Sequence, residues 1–108
     1  MLAREHRIYT YTTPSITLTI SGLADYIANV NYIRIAIKGK AKVIREILAA
    51  DFDTETESVT ITLTQEETAS IGDGQIAVQA RIIYTDGTVQ ATEKAFTTMH
   101  DIIDKVVV

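Results

Sequence analysis

The sequence predicts an all-β fold, a small antiparallel immunoglobulin-like β-sandwich of about seven strands with one short helical turn near residues 65–69. Apolar residues recur at every second position along most of the chain, which is the pattern of half-buried strands. Turn signals separate these segments every eight to twelve residues or so, and no segment predicts a long helix. The chain lacks cysteine and tryptophan, so "immunoglobulin-like" describes the architecture only.

One domain is predicted over residues 8–108, because a chain of 108 residues has room for a single core and can bury it without crosslinks. Residues 1–7 are predicted to form an N-terminal arm outside that core, frayed or disordered. They contain no apolar core of a signal peptide, so secretion by that route is not expected. No apolar run approaches the roughly 20 residues of a membrane-spanning helix.

Two strands are predicted on either side of Pro14. The first covers residues 8–13 and ends at the proline, which cannot donate a hydrogen bond to a strand ladder. The second, over residues 15–20, alternates Ile or Leu with Ser or Thr. Residues 23–30 leave two interpretations open, a single helical turn capped by Asp25 or an irregular crossover.

The next two segments predict a β-hairpin. Isoleucine occupies every second position over residues 33–37, as in a strand with one buried face. The apolar spacing of residues 43–48 also fits a helix, but Gly39 lies between two basic, strand-like segments as a hairpin glycine would. We therefore predict a strand over residues 43–48.

A capping box marks the start of the helical turn. Thr64 and Glu67 fit the pattern in which a hydroxyl accepts from the amide three residues later, while the carboxylate reaches back to the first amide. The turn, over residues 65–69, links a strand at 58–63 to a longer strand at 75–84 through a glycine-containing turn.

Asp86–Gly87 predicts a two-residue hairpin turn, because both central positions of that turn favour positive φ. The return strand over residues 89–96 is less regular, since Glu93 falls on its apolar face; a bulge or an edge position would accommodate it. The tail, residues 99–108, leaves open a last strand over 105–108 or a short helix.

Composition and spacing exclude several classes of site. Without cysteine there is no disulfide framework, zinc ribbon, thiol nucleophile or iron–sulfur centre. A net charge of −4 argues against a general nucleic-acid binder, which needs cations to displace counterions from phosphate. The two histidines, His6 and His100, have no spacing typical of a metal site, and no serine has a neighbouring histidine. We therefore expect no enzyme activity, no cofactor and no bound metal.

Two charged clusters are the candidate interaction residues. The basic cluster, which has no acidic residue among its members, contains Arg34, Lys38, Lys40, Lys42 and Arg45. The acidic cluster, whose four carboxylates would point one way on an extended segment, contains Asp51, Asp53, Glu55 and Glu57. Its spacing lacks the glycine and final glutamate of an EF-hand loop, so a solvated acidic loop or strand edge is favoured over a calcium site. The basic hairpin is predicted to face the acidic segment, within the fold or in a neighbouring subunit.

A series of short segments is distinctive when taken together. In chain order they are TTPSITLTI (12–20), IRIAIKGKAKVI (33–44) with the acidic stretch after it, LTQEET (63–68), VQAR (78–81), Asp86–Gly87 and Ala91–Thr92. In this order they resemble a family of small proteins encoded in the tail and baseplate gene blocks of phages and prophages of Gram-positive bacteria. The resemblance extends from about Tyr11 to the C-terminus. Ile71 departs from it, because the family often has an aromatic residue before the glycine turn.

The resemblance implies a β-sandwich component of the virion, at the tail tip or baseplate, with no catalytic residues. The expected function is that of a non-enzymatic structural protein, assembled in the host cytoplasm, that contacts other tail proteins or copies of itself. Neither a nucleic acid nor a membrane is expected as a partner. The alternative is a carbohydrate- or cell-wall-binding module at the tail tip, which predicts a concave face with clustered aromatic side chains. Tyr9 and Tyr11 share a face of the first predicted strand, where packing in the core or at its rim is favoured over a contact stripe.

Overall fold

The computed structural model describes residues 7–108, whose strands form two sheets. In chain order the strands are β1 (Ile8–Tyr9), β2 (Ser15–Thr19), β3 (Val30–Lys38), β4 (Lys42–Leu48), β5 (Ser58–Thr62), β6 (Gly74–Tyr84), β7 (Val89–Ala91) and β8 (Ala95–His100). The helical segments are a 3-10 helix at Leu23–Asn29, a 3-10 turn at Ala49–Asp51 and the α-helix α1 at Gln65–Ile71. Strands dominate, so the prediction of a mainly β fold is confirmed.

The larger sheet has the strand order β1-β8-β6-β3-β4, with β7 paired to the end of β6 that β8 does not reach. The pairing of β1 with β8 is parallel, whereas β8, β7, β6, β3 and β4 pair antiparallel, so the sheet is mixed. The smaller sheet pairs β2 with β5, from Ser15 opposite Thr62 to Thr19 opposite Ser58. Within residues 7–108, no helix has the length and apolar character needed to cross a membrane.

One core collects the buried faces of both sheets. The alternating isoleucines of β3 lie on that face, and so do the inward residues of β5 and β6. The members from these three strands are Val30, Ile33, Ile35, Ile37, Val59, Ile61, Ile76, Val78, Ala80 and Ile82. Burying a Val or Ile side chain contributes about 1.5–3 kcal/mol before the entropy of ordering is counted, so this period-two pattern is the main stabilising feature of the fold.

The β3–β4 hairpin turns at Gly39, and residues 42–48 form the predicted strand rather than a helix. The glycine is required by a close approach, because a Cβ at Gly39 would lie 2.6 Å from the carbonyl oxygen of Ile71. That same oxygen accepts a hydrogen bond from the amide of Lys40 at 2.8 Å. The turn of this hairpin is therefore fastened to the C-terminal end of α1.

The capping box of α1 is confirmed. The Thr64 hydroxyl accepts from the Glu67 amide at 3.1 Å, and the Thr64 amide donates to Glu67 Oε1 at 2.9 Å. The helix continues two residues beyond the predicted turn and ends at Gly72, whose φ of 77° lies in the left-handed region. Ile71 is fully buried, so the last turn packs into the core.

The predicted first strand over residues 8–13 is wrong in its extent. β1 ends at Tyr9, and Tyr11 has a φ of 59°, so the chain turns before it reaches Pro14. Tyr9 and Tyr11 therefore do not lie together on one strand, which removes the less favoured alternative of a contact stripe. The arm predicted over residues 1–7 lies outside the described residues apart from its last position.

Of the two interpretations of residues 23–30, the structure agrees with the helical one, although the helix is longer than the single turn predicted. The segment is a 3-10 helix that spans Leu23–Asn29. It begins after Gly22, which has a φ of 85°, and Asp25 lies inside its first turn rather than at its cap. Leu23 is buried, so the helix is fastened to the core at its start.

The β6–β7 hairpin has a three-residue loop where a two-residue turn was predicted. The amide of Tyr84 donates to the carbonyl oxygen of Thr88 at 2.9 Å, and the Gly87 amide donates to that of Tyr84 at 3.0 Å. Gly87 takes the left-handed position, with a φ of 89°. A left-handed glycine at the last position is common in three-residue hairpin loops. Asp86–Gly87 therefore indicated the hairpin correctly, but not the number of residues in its loop.

The return strand is interrupted between Ala91 and Ala95, where a bulge or an edge position was predicted to accommodate Glu93. At the interruption the Thr92 hydroxyl accepts from the amide of Ala80 at 3.0 Å and takes the place of a ladder carbonyl. After β8 the tail has neither of the two predicted elements, because residues 101–108 form no strand or helix.

Candidate interaction site

The structure divides the basic cluster, and three of its members lie on the outer face of the larger sheet. Lys38 and Lys42 stand opposite each other at the hairpin end of β3 and β4. Arg34, farther along β3, lies opposite Arg81 of β6 and has its Nη1 3.3 Å from Glu46 Oε1. One acidic residue thus accompanies four cations on this face, which is therefore positively charged.

The other two members of the basic cluster contact α1 and the residues after it. Arg45 lies opposite Ile35, on the inner face of the sheet, and its guanidinium pairs with the carboxylate of Glu67. Lys40, in the hairpin turn, has its Nζ 3.3 Å from Asp73 Oδ1. The hydrogen bond from this Lys40 ammonium lowers the pKa of Asp73. Both residues therefore have partners within the fold, which the run of basic residues in the sequence does not reveal.

The acidic cluster is not an extended segment, so its predicted alignment of four carboxylates is wrong. Asp51 ends a 3-10 turn, and Asp53 opens a tight turn in which its Oδ1 accepts from the amides of Glu55 and Thr56 at 2.9 and 3.2 Å. These backbone hydrogen bonds, that of Thr56 foremost, lower the pKa of Asp53. Hydrogen bonds from nearby amides to the Asp53 side chain favour a turn here over an extended strand.

The last member of the acidic cluster is bound within the fold. Glu57 has a φ of 51°, and its Oε2 accepts from the amide of Gly22 at 2.6 Å. In residues 7–108 no group of three or more His, Asp or Glu side chains is placed to hold a metal ion. Nor does any salt bridge of the described residues join the acidic cluster to the basic one.

The outer face of the larger sheet also carries exposed apolar side chains. Cross-strand register places Leu48 and Val89 at the two ends of one row, with Tyr32 and Ile83 between them. A second row runs from Lys42 through Lys38 and Ala77 to Phe96. The exposed fractions are 66% for Leu48, 60% for Phe96, 46% for Val89 and 41% for Ile44. We call this surface, with its cations, the outer face.

Sheet edges adjoin the outer face. β4 pairs with β3 on one side and has no strand on its other side among the described residues. Within residues 7–108, the strands β2 and β5 pair with each other and with no other strand. Unpaired edges offer backbone donors and acceptors to another chain, and charged side chains such as Glu46 restrict which chain can add there.

A cleft of about 620 Å³ lies between the Leu23–Asn29 helix and the β6–β7 loop. Its lining combines two tyrosine rings with amide, carboxylate and hydroxyl groups, from Tyr26, Asn29, Tyr84, Asp86, Thr88 and Gln90. A smaller cavity of about 180 Å³ adjoins it and shares Tyr26, Tyr84 and Gln90. Sequence reasoning missed this cleft because its residues come from segments that are far apart in the chain.

Comparison of the chain with models of protein families, with curated proteins and with solved structures gives no match.

Proposed function

We propose that the protein is a non-enzymatic structural component of a phage or prophage tail or baseplate, and that it acts through protein–protein contacts. The observation that carries the proposal is the outer face, where four large apolar side chains are 41–66% exposed on one sheet surface and beside its edge. Scattered apolar exposure is ordinary, but several exposed apolar side chains on one sheet face are typical of an interaction surface. The resemblance in the sequence supplies the tail context.

The occupant proposed for the outer face is a second copy of this chain. The face is positively charged, whereas the turn at Asp51–Glu57 presents exposed carboxylates from Asp51, Asp53 and Glu55. The two surfaces differ, so docking one on the other joins copies head to tail, and such contacts close into rings when the rotation allows. Complementary charge would fix the register between copies, while the apolar side chains supply the burial.

We further propose that the two sheets constitute an immunoglobulin-like sandwich, in which β2 and β5 form the second layer. Val59 and Ile61 of β5 belong to the same core as Ile33 and Ile35 of β3, which supports this arrangement. The parallel pairing of β1 with β8 and the short α1 are its departures from a simple antiparallel sandwich. A crystal structure should show the sheet of β2 and β5 stacked face to face on β3 and β6. If β2 and β5 instead extended the larger sheet side by side at one of its edges, the sandwich would be contradicted.

Sedimentation velocity over a series of concentrations and salt levels tests the assembly. The wild-type chain is expected to self-associate at low salt, and association should weaken as screening increases. Phe96→Ser and Lys38→Glu should each weaken association about tenfold or more, through loss of apolar burial and of charge complementarity respectively. Lys105→Glu, which makes the same charge change in the tail, is the control.

A wild-type chain that stays monomeric at every concentration would contradict self-association. The tail context needs a separate test, in which mass spectrometry of particles purified from the source strain counts this protein against the major tail protein. A fixed, small copy ratio is expected for a ring component. Absence from particles, with abundant protein in the lysate, would overturn the virion assignment.

A further inference from the structure

The cleft between the Leu23–Asn29 helix and the β6–β7 loop has the features of a ligand site, and it lies apart from the outer face. Its volume of about 620 Å³ lies within the range of about 300–1,000 Å³ that small-molecule sites occupy. The adjoining cavity, which shares Tyr26, Tyr84 and Gln90, lengthens it into a groove. We propose that this groove binds a neutral oligosaccharide.

The chemistry of the lining selects this ligand class. Among the described residues, Asp86 is the only charged residue that lines the cleft, and none of them supplies a cation there to hold a phosphate or a sulfate. Most of the side chains carry amide, hydroxyl or carboxylate groups, so a purely apolar ligand would leave them unpaired. A sugar presents hydroxyl groups for such partners and an apolar C–H face for an aromatic ring.

The two tyrosines have different roles in the groove. The Tyr84 ring packs against the core, and its hydroxyl donates to Gln90 Oε1 at 2.8 Å, so it forms a fixed wall. Tyr26 is 59% exposed on the 3-10 helix and offers a ring face to a ligand. The bond to Tyr84 leaves both N–H groups of the Gln90 amide available to a ligand hydroxyl, since no described residue accepts from them.

The loop side of the groove is held in place by hydrogen bonds. Asp86 Oδ1 accepts from the amide and the hydroxyl of Thr88, at 2.9 and 2.6 Å, which lowers the pKa of Asp86. The carboxylate is therefore ionised at neutral pH and can accept from sugar hydroxyls. The Thr85 amide donates to the carbonyl oxygen of Asn29 at 2.8 Å and joins the loop to the helix. The site is thus formed before a ligand arrives, which reduces the entropic cost of binding.

Nuclear magnetic resonance titration of the ¹⁵N-labelled full chain tests the proposal. The probes are maltotriose, cellotriose and triacetylchitotriose, which are neutral and differ in linkage and substituents. At least one should give saturable shifts at the amides of Asn29, Asp86 and Gln90, with a Kd of about 1 mM or tighter, as expected for an open, hydrogen-bonding cleft. Flat titrations with all three probes, or shifts confined to other parts of the fold, would overturn the site.

Variants at position 26 sharpen the test. Tyr26→Ala should weaken binding at least tenfold, whereas Tyr26→Phe, which keeps the ring, should change it less than threefold or so. Phe96→Ala is the matched control, because Phe96 is 60% exposed but lies on the outer face. Unchanged binding by Tyr26→Ala would contradict the groove. Tyr26→Ala should leave self-association intact, so failure of the sugar site and failure of the assembly are measured separately.

Discussion

Arg45 and Glu67 join the hairpin to the helix through one carboxylate. The Arg45 side chain donates from Nε to Glu67 Oε2 at 3.2 Å and from Nη2 to Oε1. Oε1 also accepts from the Thr64 amide, so the residue that closes the capping box of α1 is the residue that receives the arginine of β4. Partial burial alone would raise the pKa of Glu67, but the hydrogen bonds from Thr64 and Arg45 outweigh it and lower that pKa.

A double-mutant cycle on this pair should reveal coupling. Glu67→Gln keeps an acceptor for Thr64 but loses the charge, and Arg45→Met keeps an apolar stem. Each should lower the free energy of unfolding by about 1–2 kcal/mol, with a coupling of about 0.5–1 kcal/mol, in urea titrations followed by circular dichroism. Additive effects of the two substitutions would show that the helix cap and the hairpin are energetically independent.

The contribution of Glu67 should disappear in acid. Because folding lowers its pKa, the stabilisation is complete above the ordinary value of 4.5 and is lost as the pH falls through the lower value of the folded state. The difference in unfolding free energy between wild type and Glu67→Gln should therefore shrink steadily below pH 4.5. Glu66→Gln, at the exposed neighbouring position, is the control, and a difference that persists in acid would contradict the ionic role of Glu67.

Gly39→Ala should destabilise the protein by about 1–3 kcal/mol, as overpacking commonly does. The new methyl group would lie 2.6 Å from the Ile71 carbonyl oxygen and 2.8 Å from its Cγ2. The nearer atom belongs to the backbone, so removing Cγ2 with Ile71→Ala should leave the cost of Gly39→Ala largely unchanged. Thermal unfolding of the two single variants and the double variant measures this, and loss of the Gly39→Ala effect in the Ile71→Ala background would show that side-chain crowding alone sets the cost.

The sequence predicted those elements that a short stretch of residues determines. The capping box of Thr64 and Glu67 was recognisable because both partners lie within one helical turn. The buried face of β3 was recognisable because its period is two. The length of β1 could not be predicted, because its partner β8 lies some ninety residues away in the chain. That strand supplies only two paired positions, Ile8 with Met99 and Tyr9 with His100.

The candidate site was harder to predict than the fold. A run of basic residues does not reveal that Arg45 faces α1 while Lys38 faces outwards, since this depends on the register between β3 and β4. The acidic run suggested aligned carboxylates, but Asp53 bends its own backbone into a turn. The groove around Tyr26 depends on the packing of a helix against a distant hairpin loop, for which no local pattern exists.

Register on β3 and β4 also predicts that two isoleucines one strand apart have unlike roles. Ile35 is 1% exposed and lies in the core, whereas Ile44 lies on the outer face of the neighbouring strand. Ile35→Ala should lower the free energy of unfolding by about 2–5 kcal/mol, because it leaves a cavity. Ile44→Ala should change it by less than about 0.5 kcal/mol, because a surface substitution leaves none, and should instead weaken self-association. Urea unfolding and sedimentation velocity on both variants measure the two effects. A large loss of folding stability in Ile44→Ala would place that side chain in the core and remove it from the proposed interface.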